Sequence, residues 1–376
     1  MKILELTNFS AGICGVWQRV KQESLLLAKK GHEVKIFSSN AVKNSNEIAN
    51  NEEKIGIVEI KRFPFKKLGG ESFMSWNFEN EALKFQPDLI IAHSYRHLHT
   101  TKALKLAKKL KETKKNVKVF LVTHAPFERN RGLIQNFIVW IYDNFIGKII
   151  LNKFDKIIAI TKWEIPYLEK LMVNKENIVY IPNGLQDEFF TQKKSKEENK
   201  ILFLGRISPI KNLEVIINAF EKIEDKKIML EILGPGEESY LNYLKKLIDD
   251  LKLNNMVIFS NPIYDLKEKI KKIDSCKIFV LPSKSEGMPQ SLIEAMARKK
   301  IVIASNNTGN MDLIENEKNG YLFKNNNQNE LAEKINYVLS EKNKIELNKI
   351  KIMAKKSSKR FLWNDLINDL NKLILK

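Results

Sequence analysis

The sequence predicts an α/β protein of two domains, each built around a mainly parallel β-sheet. Its 376 residues suffice for about two domains with a core in each. Short apolar runs alternate with segments of helical periodicity along almost the whole chain, which is the pattern of β–α units. The apolar runs carry few polar interruptions, as expected of strands covered on both faces. With 43% hydrophobic and 29% charged residues, the composition excludes a disordered chain.

Two series of strands are expected, one in each half of the chain. The first series comprises residues 2–7, 33–38, 88–93, 117–124, 155–161 and 177–181. The second series comprises residues 200–205, 228–233, 257–260, 278–281 and 301–304. Between them lie Pro182-Asn183-Gly184 and a charged polar stretch at 192–199. These segments predict a boundary between a domain of residues 1–185 and a domain of residues 200–354.

The chain is strongly basic. Its 64 Lys and Arg residues against 45 Asp and Glu residues give a net charge of +19. An excess of this size favours a polyanionic partner, such as nucleic acid, an anionic membrane surface or a phosphorylated small molecule. The sequence has no zinc, helix-turn-helix or aromatic–basic motif, so we expect no nucleic-acid partner.

Cysteine usage and hydropathy predict a cytoplasmic protein. Cys14 and Cys276 lack Cys-x-x-Cys spacing, so neither a disulfide framework nor a zinc site is expected. Glu5 interrupts what would be the apolar core of a signal peptide. Polar residues also interrupt the most apolar stretch, residues 133–151. We therefore expect neither secretion nor a transmembrane helix.

Two glycines follow the first predicted strand. Gly12 and Gly15 precede a helix that is expected to begin near Val16. Glycines there let the backbone approach a ligand, and the start of a helix offers free N–H groups to a phosphate. The spacing departs from Gly-x-Gly-x-x-Gly, so a nicotinamide or flavin enzyme is disfavoured. Ordinary turn glycines are the alternative explanation.

Two cations follow the strand predicted at residues 200–205. Arg206 and Lys211 precede a helix that is expected to begin at Leu213. A bidentate guanidinium and an ammonium at the carboxyl end of a parallel strand suit a diphosphate. The alternative is a pair of solvated surface cations in a lysine-rich chain.

Two carboxylates form the strongest motif. Glu286 lies in the loop after the strand predicted at 278–281, and Glu294 follows eight positions later in a helix that Pro289 helps to start. Carboxylates accept hydrogen bonds from hydroxyls. Two of them separated by a loop and about two helical turns can hold different sugar rings of one ligand.

These motifs together resemble the family 4 retaining glycosyltransferases of the GT-B fold. The resemblance extends over essentially the whole chain, and the Glu-x₇-Glu segment is its most specific part. The residues that carry it are Gly12 to Gly15, Asn183-Gly184, Gly205-Arg206, Lys211-Asn212-Leu213, the run from Glu286 to Ala297, Thr308-Gly309 and Asn319-Gly320-Tyr321-Leu322-Phe323.

The resemblance implies a fold, a reaction and substrates. Two Rossmann-like domains with parallel sheets would face each other across a cleft, the first binding the acceptor and the second a UDP- or GDP-sugar. The C-terminal helix, about residues 355–376, would cross back to the first domain. The implied reaction is retaining transfer of a sugar to a saccharide or lipid-linked acceptor in the synthesis of cell-surface glycans or glycolipids.

The resemblance also implies donor contacts by matching position. Arg206 and Lys211 would hold the diphosphate, Glu286 the sugar hydroxyls and Glu294 the nucleotide ribose. Gly15 would lie against the phosphates from the first domain. The remaining predicted donor-binding residues are Gly287, Met288 and Pro289.

No metal and no cofactor is implied, since protein cations and helix ends stabilise the departing diphosphate in such enzymes. Consistently, the chain has no Asp-x-Asp sequence. The chain departs from the family pattern at Thr308-Gly309 and Asp312, where the family commonly has two adjacent glycines followed by Glu. The donor sugar therefore stays open.

His124 ends the strand predicted at 117–124 and matches the family's active-site histidine near the anomeric carbon. His124 and Glu286 are the predicted catalytic residues. His124 would orient the sugar or stabilise charge, while the leaving phosphate accepts the proton of the acceptor. A hydrogen-bonded strand cap is the alternative for His124.

Three histidines, His93, His97 and His99, lie at the end of the strand predicted at 88–93 and just after it. Their spacing invites a metal site, but no carboxylate or cysteine nearby in the sequence completes a ligand set. We therefore predict an acceptor-side loop in which Arg96 and His97 contact the acceptor.

Residues 128–153 combine apolar side chains at helical spacing with cationic flanks that include Arg129 and Arg131. This pattern is typical of a helix that lies on an anionic membrane. A helix packed into the first domain would show the same apolar stripe. A second basic surface, from Lys102 to Lys115, is either a solvated face or a phospholipid contact. These features predict peripheral association with the inner face of the cell membrane.

Two other classes of function stay open at this point. A sugar-nucleotide epimerase or hydrolase shares the GT-B fold and the donor site but needs no acceptor. A non-enzymatic polyanion-binding protein would share the basic charge.

Overall fold

A computed structural model describes residues 1–12, 14–43, 45–113, 116–127, 132–191, 193 and 195–376. The chain forms two compact units: Met1–Gly184 with Trp363–Lys376, and Leu185–Leu362. Each unit has its own sheet and its own cluster of buried apolar side chains. The predicted α/β class with two parallel sheets is confirmed. Several residues named in the sequence patterns lie outside the described residues: Lys114, Lys115, Arg129, Arg131, Gln192 and Lys194.

The first unit is built on an eight-stranded sheet. Its strands in chain order are β1 (Lys2–Thr7), β2 (Glu33–Ser39), β3 (Glu52–Ile55), β4 (Val58–Phe63), β5 (Phe65–Lys67), β6 (Met74–Trp76), β7 (Leu89–His93), β8 (Lys118–Val122), β9 (Lys156–Ala159) and β10 (Ile178–Tyr180). β5 and β6 form a separate antiparallel pair. The others form a sheet in the order β10-β9-β8-β7-β1-β2-β4-β3, parallel except for β3, which is antiparallel to β4.

Helices connect these parallel strands, which cannot be joined by tight turns. They are α1 (Gly15–Lys29), α2 (Glu79–Phe85), α3 (Leu98–Thr113), α4 (Leu133–Ile141), α5 (Lys148–Leu151) and α6 (Ile165–Lys170). β1 lies in the middle of the sheet, and its Ile3, Leu4 and Leu6 are fully buried. The segments that follow β1, β7 and β8 therefore leave the sheet at one carboxyl edge.

The second unit is built on a six-stranded, fully parallel sheet. Its strands are β11 (Lys200–Leu204), β12 (Met229–Leu233), β13 (Val257–Ser260), β14 (Ile278–Leu281), β15 (Ile301–Ser305) and β16 (Tyr321–Phe323), in the order β13-β12-β11-β14-β15-β16. Its helices are α7 (Glu188–Thr191), α8 (Leu213–Phe220), α9 (Glu238–Asp250), α10 (Leu266–Ser275), α11 (Gln290–Ala297), α12 (Thr308–Met311), α13 (Gln328–Leu339) and α14 (Lys344–Ser358). β11 and β14 are central neighbours, and the loops that follow them leave at the same edge.

The last helix, α15 (Trp363–Leu375), belongs to the first unit and packs against α1. A Cβ at Gly184 would lie 2.4 Å from Cδ2 of Trp363, so the glycine permits this close contact. The segment expected as one helix at 355–376 consists of the end of α14, a 3₁₀ turn and α15. It is interrupted because Phe361 is buried in the core of the second unit and Leu362 is extended.

Some strands differ from the sequence expectation. The sequence patterns did not indicate β3 to β6 or β16. β4 shows why, since buried Val58 and Ile60 alternate with more exposed Glu59 and Lys61 and the segment is not a uniform apolar run. The strand expected at 117–124 ends at Val122. His124 and Ala125 follow with left-handed φ angles of 60° and 53°, which no strand accommodates.

A continuous helical segment runs from α4 through a π-helical turn at Tyr142–Gly147 into α5. We call its solvent-facing side chains the exposed apolar surface: Leu133, Ile134, Phe137, Ile138, Trp140, Ile141, Phe145, Ile146 and Ile149, each between 39% and 90% exposed. The alternative that this segment packs into the core is therefore wrong for these side chains. None of the helices in the described residues is long and apolar enough to cross a bilayer.

Candidate functional site

The carboxyl edge of the second sheet brings Lys211 and Glu286 together. Lys211 ends the 3₁₀ turn Pro209–Lys211 after β11, and Glu286 lies in the loop after the neighbouring strand β14. Nζ of Lys211 donates a hydrogen bond to Oε1 of Glu286 at 2.6 Å. Two predicted donor-binding residues from separate motifs thus form an ion pair, because parallel neighbouring strands end at the same edge.

Glu286 is also held by Ser283. Oγ of Ser283 donates to the same Oε1 at 2.6 Å, and the carbonyl of Ser283 accepts hydrogen bonds from Oγ of Ser305 and Nδ2 of Asn307. Oε2 of Glu286 has no hydrogen-bond partner among the residues that the structure describes, and the side chain is 10% exposed. One carboxylate oxygen is fixed, and the other is left to accept a hydrogen bond from a ligand hydroxyl.

Gly309 in α12 lies directly against this loop. A Cβ at position 309 would lie 2.2 Å from the carbonyl oxygen of Glu286 and 2.7 Å from that of Gly287. Oδ1 of Asn307 caps α12 by accepting a hydrogen bond from the backbone N–H of Asn310 at 3.0 Å. Although Thr308-Gly309 departs from the family pattern, its glycine provides a close backbone approach at this loop.

Glu294 in α11 has a separate partner. Its Oε1 accepts a hydrogen bond from Nζ of Lys269 at 2.5 Å, and the side chain is 8% exposed. Its Oε2 is buried and has no hydrogen-bond partner within the described parts of the chain. A buried carboxylate oxygen without a partner costs free energy, so Glu294 is suited to accept a hydrogen bond from a ligand.

The other predicted donor-binding residues of this unit lie in the same two loops. Arg206, just after β11, is half exposed, and its Nη1 lies 4.0 Å from Oε1 of Glu237, too far for a hydrogen bond. Gly287, Met288 and Pro289 connect Glu286 to α11. Pro289 is the N-cap of that helix, and Met288 packs partly against the core.

In the first unit, His124 lies after β8 on a turn with left-handed backbone angles, which are costly for residues other than glycine. Buried Glu164 holds this turn. Its Oε1 accepts a hydrogen bond from the N–H of Ala125 at 2.8 Å, and its Oε2 accepts from the N–H groups of Ile160 and Thr161. The orientation of His124 thus depends on a carboxylate that the sequence patterns did not single out.

A chain of hydrogen bonds leads from His124 into the interior. Nε2 of His124 lies 3.0 Å from Nδ1 of His93, and Nε2 of His93 lies 2.7 Å from Oε2 of Glu5. Beside Glu5, Nε of Arg19 donates to Oε2 of Glu23 at 3.0 Å, and both side chains are buried. We call Glu5, Arg19, Glu23, His93 and His124 the buried network.

Burial controls the charges in the buried network. Burial raises the pKa of Glu5 to about 8, although the Arg19 guanidinium opposes this shift. Burial also lowers the pKa of His93 to about 4 and holds the pKa of His124 well below its usual value. Both imidazoles are therefore neutral near pH 7.

The buried network contains the one cluster of three potential metal ligands found in the described residues. Glu5, Glu23 and His93 each offer a ligand atom within 4.8 Å of the others. Sequence spacing could not indicate this cluster, because its carboxylates come from β1 and α1. Both nitrogens of His93 already have partners and Arg19 supplies a positive charge, so the residues fit an ion-pair network better than a metal site.

The three histidines near the end of β7 do not share one ligand position. Nδ1 of His97 lies 2.8 Å from Nδ2 of Asn8, and burial lowers the pKa of His97 to about 4. Nε2 of His99 lies 2.7 Å from the carbonyl oxygen of His93. Each imidazole therefore has its own partner.

Arg96, predicted to contact the acceptor, is engaged within the first unit. Its Nε and Nη2 donate to the two carboxylate oxygens of Asp143 at 2.8 and 2.5 Å, and its Nη1 donates to the carbonyl of Pro126 at 2.8 Å. Arg96 therefore ties the π-helical turn to the loop after β7. Contact of Arg96 and His97 with an acceptor stays a prediction.

Gly12 and Gly15 have different structural requirements. Gly12 has a φ of 82°, and a Cβ there would lie 2.6 Å from the carbonyl oxygen of Lys43. The local fold therefore requires glycine at position 12. Gly15 begins α1, and a Cβ there would meet nothing within 4 Å. The open space beside the first turn of α1 is compatible with the predicted phosphate contact.

Sequence reasoning missed several side chains that support the predicted ones: Glu5, Glu164, Lys269 and Ser283. Of these residues, only Glu5 could have been recognised from the sequence, because it is a carboxylate inside an otherwise apolar strand. The others are distant in sequence from the motifs they support or are ordinary loop residues.

The sequence matches two family models. Residues 186–357 match Glycosyl transferases group 1, and residues 13–189 match Glycosyltransferase Family 4. A curated relative, an uncharacterised glycosyltransferase of Methanocaldococcus jannaschii, is 27% identical over 92% of this chain and 90% of its own length. The alpha-monoglucosyldiacylglycerol synthase of Streptococcus pneumoniae is 25% identical over 83% of this chain and 72% of its own length.

The Anabaena protein HepE, solved in complex with UDP and glucose, superposes with a TM-score of 0.76 at 18% identity, covering 100% of this chain and 99% of that chain. The fold is thus that of the GT-B glycosyltransferases. With the two family models spanning nearly the whole sequence, the chain belongs to the group 1 glycosyltransferases. A non-enzymatic polyanion-binding protein is therefore set aside.

Proposed function

We propose that this glycosyltransferase moves a sugar, with retention of anomeric configuration, from a UDP- or GDP-sugar to a saccharide or lipid-linked acceptor in cell-surface glycan or glycolipid synthesis. The observation that carries the proposal is the Lys211–Glu286 ion pair at the carboxyl edge of the second sheet. It supports a donor site because it joins a cation suited to phosphate with a carboxylate suited to sugar hydroxyls.

We assign each donor-binding residue to a part of the nucleotide sugar from the hydrogen-bond partners that its side chain has in the absence of a ligand. Lys211 is neutralised by Glu286, and a diphosphate would offer it a more highly charged partner. Arg206, half exposed and without a hydrogen bond to Glu237, is assigned to the same diphosphate. Glu286 would then hold the donor sugar through Oε2, and Glu294 the ribose through its own unpaired Oε2.

In the proposed reaction, the acceptor oxygen forms a bond to the anomeric carbon as the bond from that carbon to the diphosphate breaks. The acceptor's proton passes to the leaving diphosphate. Arg206 and Lys211 stabilise the charge that develops there, so the reaction requires no metal ion. In the first unit, His124 is assigned to orient the transferring sugar, and Gly15 to contact the phosphates.

We assign the exposed apolar surface to contact with the inner face of an anionic membrane. Its Trp and Phe side chains are suited to the interface, and Lys148 and Lys153 lie at its end. The net charge of +19 favours an anionic surface. The Streptococcus relative, named for a glucosylated diacylglycerol, supports a lipid-linked acceptor.

The donor assignment is tested by thermal denaturation with UDP, GDP and ADP, and UDP is tried first because HepE was solved with it. A ligand at about 100 times its Kd stabilises the folded state by about 2.7 kcal/mol. We expect Arg206→Ala and Lys211→Ala each to weaken binding about 10- to 100-fold, the effect of losing a charge-assisted hydrogen bond. Lys318→Ala is the matched control, since it removes an exposed lysine that pairs with Glu315 in the same unit.

The outcomes separate the alternatives. Stabilisation by one nucleotide that is lost in both site variants, kept in the control and insensitive to EDTA supports the donor site and metal independence. No stabilisation at millimolar nucleotide contradicts the donor site. Rapid conversion of a nucleotide sugar without acceptor would support an epimerase or hydrolase instead.

A further inference from the structure

The hydrogen-bond chain Glu5–His93–His124 has two self-consistent proton arrangements. A neutral imidazole carries one N–H and one bare nitrogen. Each of the two contacts, at 2.7 and 3.0 Å, needs one proton between its atoms. Whether Glu5 carries a proton therefore determines which ring nitrogen of His93 and which ring nitrogen of His124 is protonated.

In the first arrangement, Glu5 is a carboxylate. It accepts from Nε2–H of His93, whose bare Nδ1 accepts from Nε2–H of His124, and Nδ1 of His124 is left as an acceptor. In the second arrangement, Glu5 is protonated and donates to Nε2 of His93. Nδ1–H of His93 then donates to Nε2 of His124, and Nδ1–H of His124 is left as a donor.

The remaining nitrogen of His124 is available to a ligand. Nδ1 of His124 has no hydrogen-bond partner among the described residues. The turn that presents it is fixed by the contact between Ala125 and Glu164. A change of protonation in this hydrogen-bond chain can therefore convert Nδ1 of His124 between a hydrogen-bond donor and an acceptor without moving the ring.

The charge count of the buried network favours the second arrangement. Two carboxyl groups, Glu5 and Glu23, share one guanidinium, that of Arg19, which donates directly to Glu23. Oε1 of Glu5 is buried and has no partner in the described chain. Burial of an uncompensated second carboxylate is costly, so the extra proton belongs on Glu5.

We propose that Glu5 and His93 are positioning residues that set the tautomer of His124, so that near neutral pH Nδ1 of His124 faces the substrate as a hydrogen-bond donor. The catalytic part of this inference rests on the proposed role of His124. Loss of one proton from the chain converts the second arrangement into the first. The proton of Glu5 moves to Nε2 of His93, the proton on Nδ1 of His93 moves to Nε2 of His124, and the proton on Nδ1 of His124 leaves to solvent.

The groups that face this chain from neighbouring elements are Arg19 and Glu23 of α1 together with His97 and His99. The pKa values of His97 and His99 are lowered by burial, so both are neutral near pH 7. Glu5 is then the group that titrates, with a pKa raised by burial to about 8.

The test is ¹⁵N NMR of histidine-labelled protein without substrate, because ¹⁵N shifts distinguish protonated from bare ring nitrogens. The chain has 5 histidines, and His124→Gln assigns the resonances of His124. We expect Nδ1–H at about pH 7 and a change to Nε2–H with a midpoint near the pKa of Glu5, about 8. His32, whose Nε2 contacts Asn371 and which is not part of the buried network, is the internal reference.

Two variants should shift the pH at which the tautomer of His124 changes, and they should shift it in opposite directions. Glu5→Gln mimics the protonated acid, so Nδ1–H of His124 should persist through the alkaline range. Glu23→Gln leaves Glu5 as the sole carboxylate beside Arg19, so the midpoint should fall by at least about one pH unit. A melting transition measured for each variant confirms that it is folded.

A tautomer of His124 that does not change with pH in any of these folded proteins overturns the inference. If the tautomer switches as expected but His124→Gln turns over substrate like the wild type, the proposed role of His124 fails and the tautomer assignment stands. The NMR measurement needs no donor, so failure of the donor-site proposal is a separate result.

Discussion

Gly309 shows how one residue position fixes the loop that carries a candidate site. Its Cα lies so close to the carbonyls of Glu286 and Gly287 that a Cβ would be 2.2 and 2.7 Å from their oxygens. Both contacts are with backbone, which cannot rotate away as a flexible side chain can. The loop and α12 must therefore separate if position 309 gains a side chain.

We expect Gly309→Ala to lower the free energy of unfolding by about 1–3 kcal/mol, the usual cost of forcing extra atoms into a packed site. Because Glu286 lies in the displaced loop, the stabilisation by nucleotide should fall as well. Thermal denaturation with and without nucleotide measures both effects. Gly70→Ala is the control, since a Cβ there meets nothing within 4 Å and its φ of −70° suits any residue. Equal melting temperatures for the two variants would contradict this account.

The motif residues of the second unit were predictable from the sequence, but their partners were not. Glu286 and Glu294 stand in a recognisable spacing. Lys269 does not, because its contact with Glu294 joins α10 to α11 and arises only in the folded unit. A side chain that supports another from a distant segment leaves no local pattern in the sequence.

At the scale of elements, the helical segment from α4 to α5 is the clearest departure from ordinary packing. Its apolar side chains face solvent, while Asp143 in its π-helical turn accepts hydrogen bonds from Tyr95 and Arg96. The segment is thus held to the first unit by polar contacts on one side. The helical periodicity of the sequence predicted an apolar stripe on this segment. It could not determine whether that stripe packs into the core or stays exposed.

We expect the protein to bind vesicles that contain anionic phospholipid and to bind them less as salt is raised. The double variant Phe137→Gln, Trp140→Gln should weaken partitioning by about tenfold or more, because burying one large apolar side chain contributes about 1.5–3 kcal/mol. Vesicle co-sedimentation at low salt measures the partition.

The matched control is Ile345→Gln, Ile352→Gln, which removes two exposed apolar side chains of α14. This variant should bind vesicles like the wild type. Equal loss in both variants, or no binding by the wild type to anionic vesicles, would sink the assignment of the exposed apolar surface to a membrane.

At the scale of the whole molecule, the buried ionisable groups make stability depend on pH in two directions. Burial lowers the pKa values of His93 and His97 from 6.5 to about 4, so as pH falls below 6.5 the unfolded chain takes up protons that the folded chain excludes. Burial raises the pKa values of Glu5, Glu23 and Glu164 above 4.5. As pH rises, the unfolded chain releases protons that the folded chain retains.

Between about pH 4.5 and 6.5 the two effects oppose each other, so the free energy of unfolding should change little there. It should fall below pH 4.5 and fall again from pH 6.5 towards pH 8. Melting temperatures measured at constant ionic strength across this range test the prediction. Glu5→Gln should flatten the alkaline decline, because it removes the group whose pKa is about 8. A melting temperature that rises steadily from pH 6.5 to 8 would show that the carboxyl groups do not carry this effect.

The sequence by itself determined the α/β class, the two sheets, the family and the candidate motif residues. These follow from short-range information: apolar runs, turn residues and spacings such as that from Glu286 to Glu294. The tertiary structure alone decided what surrounds those residues. It placed Glu5 behind His93, Lys211 against Glu286 and the side chains of α4 in solvent. Contacts between strands distant in sequence depend on sheet order and burial, which local patterns do not encode.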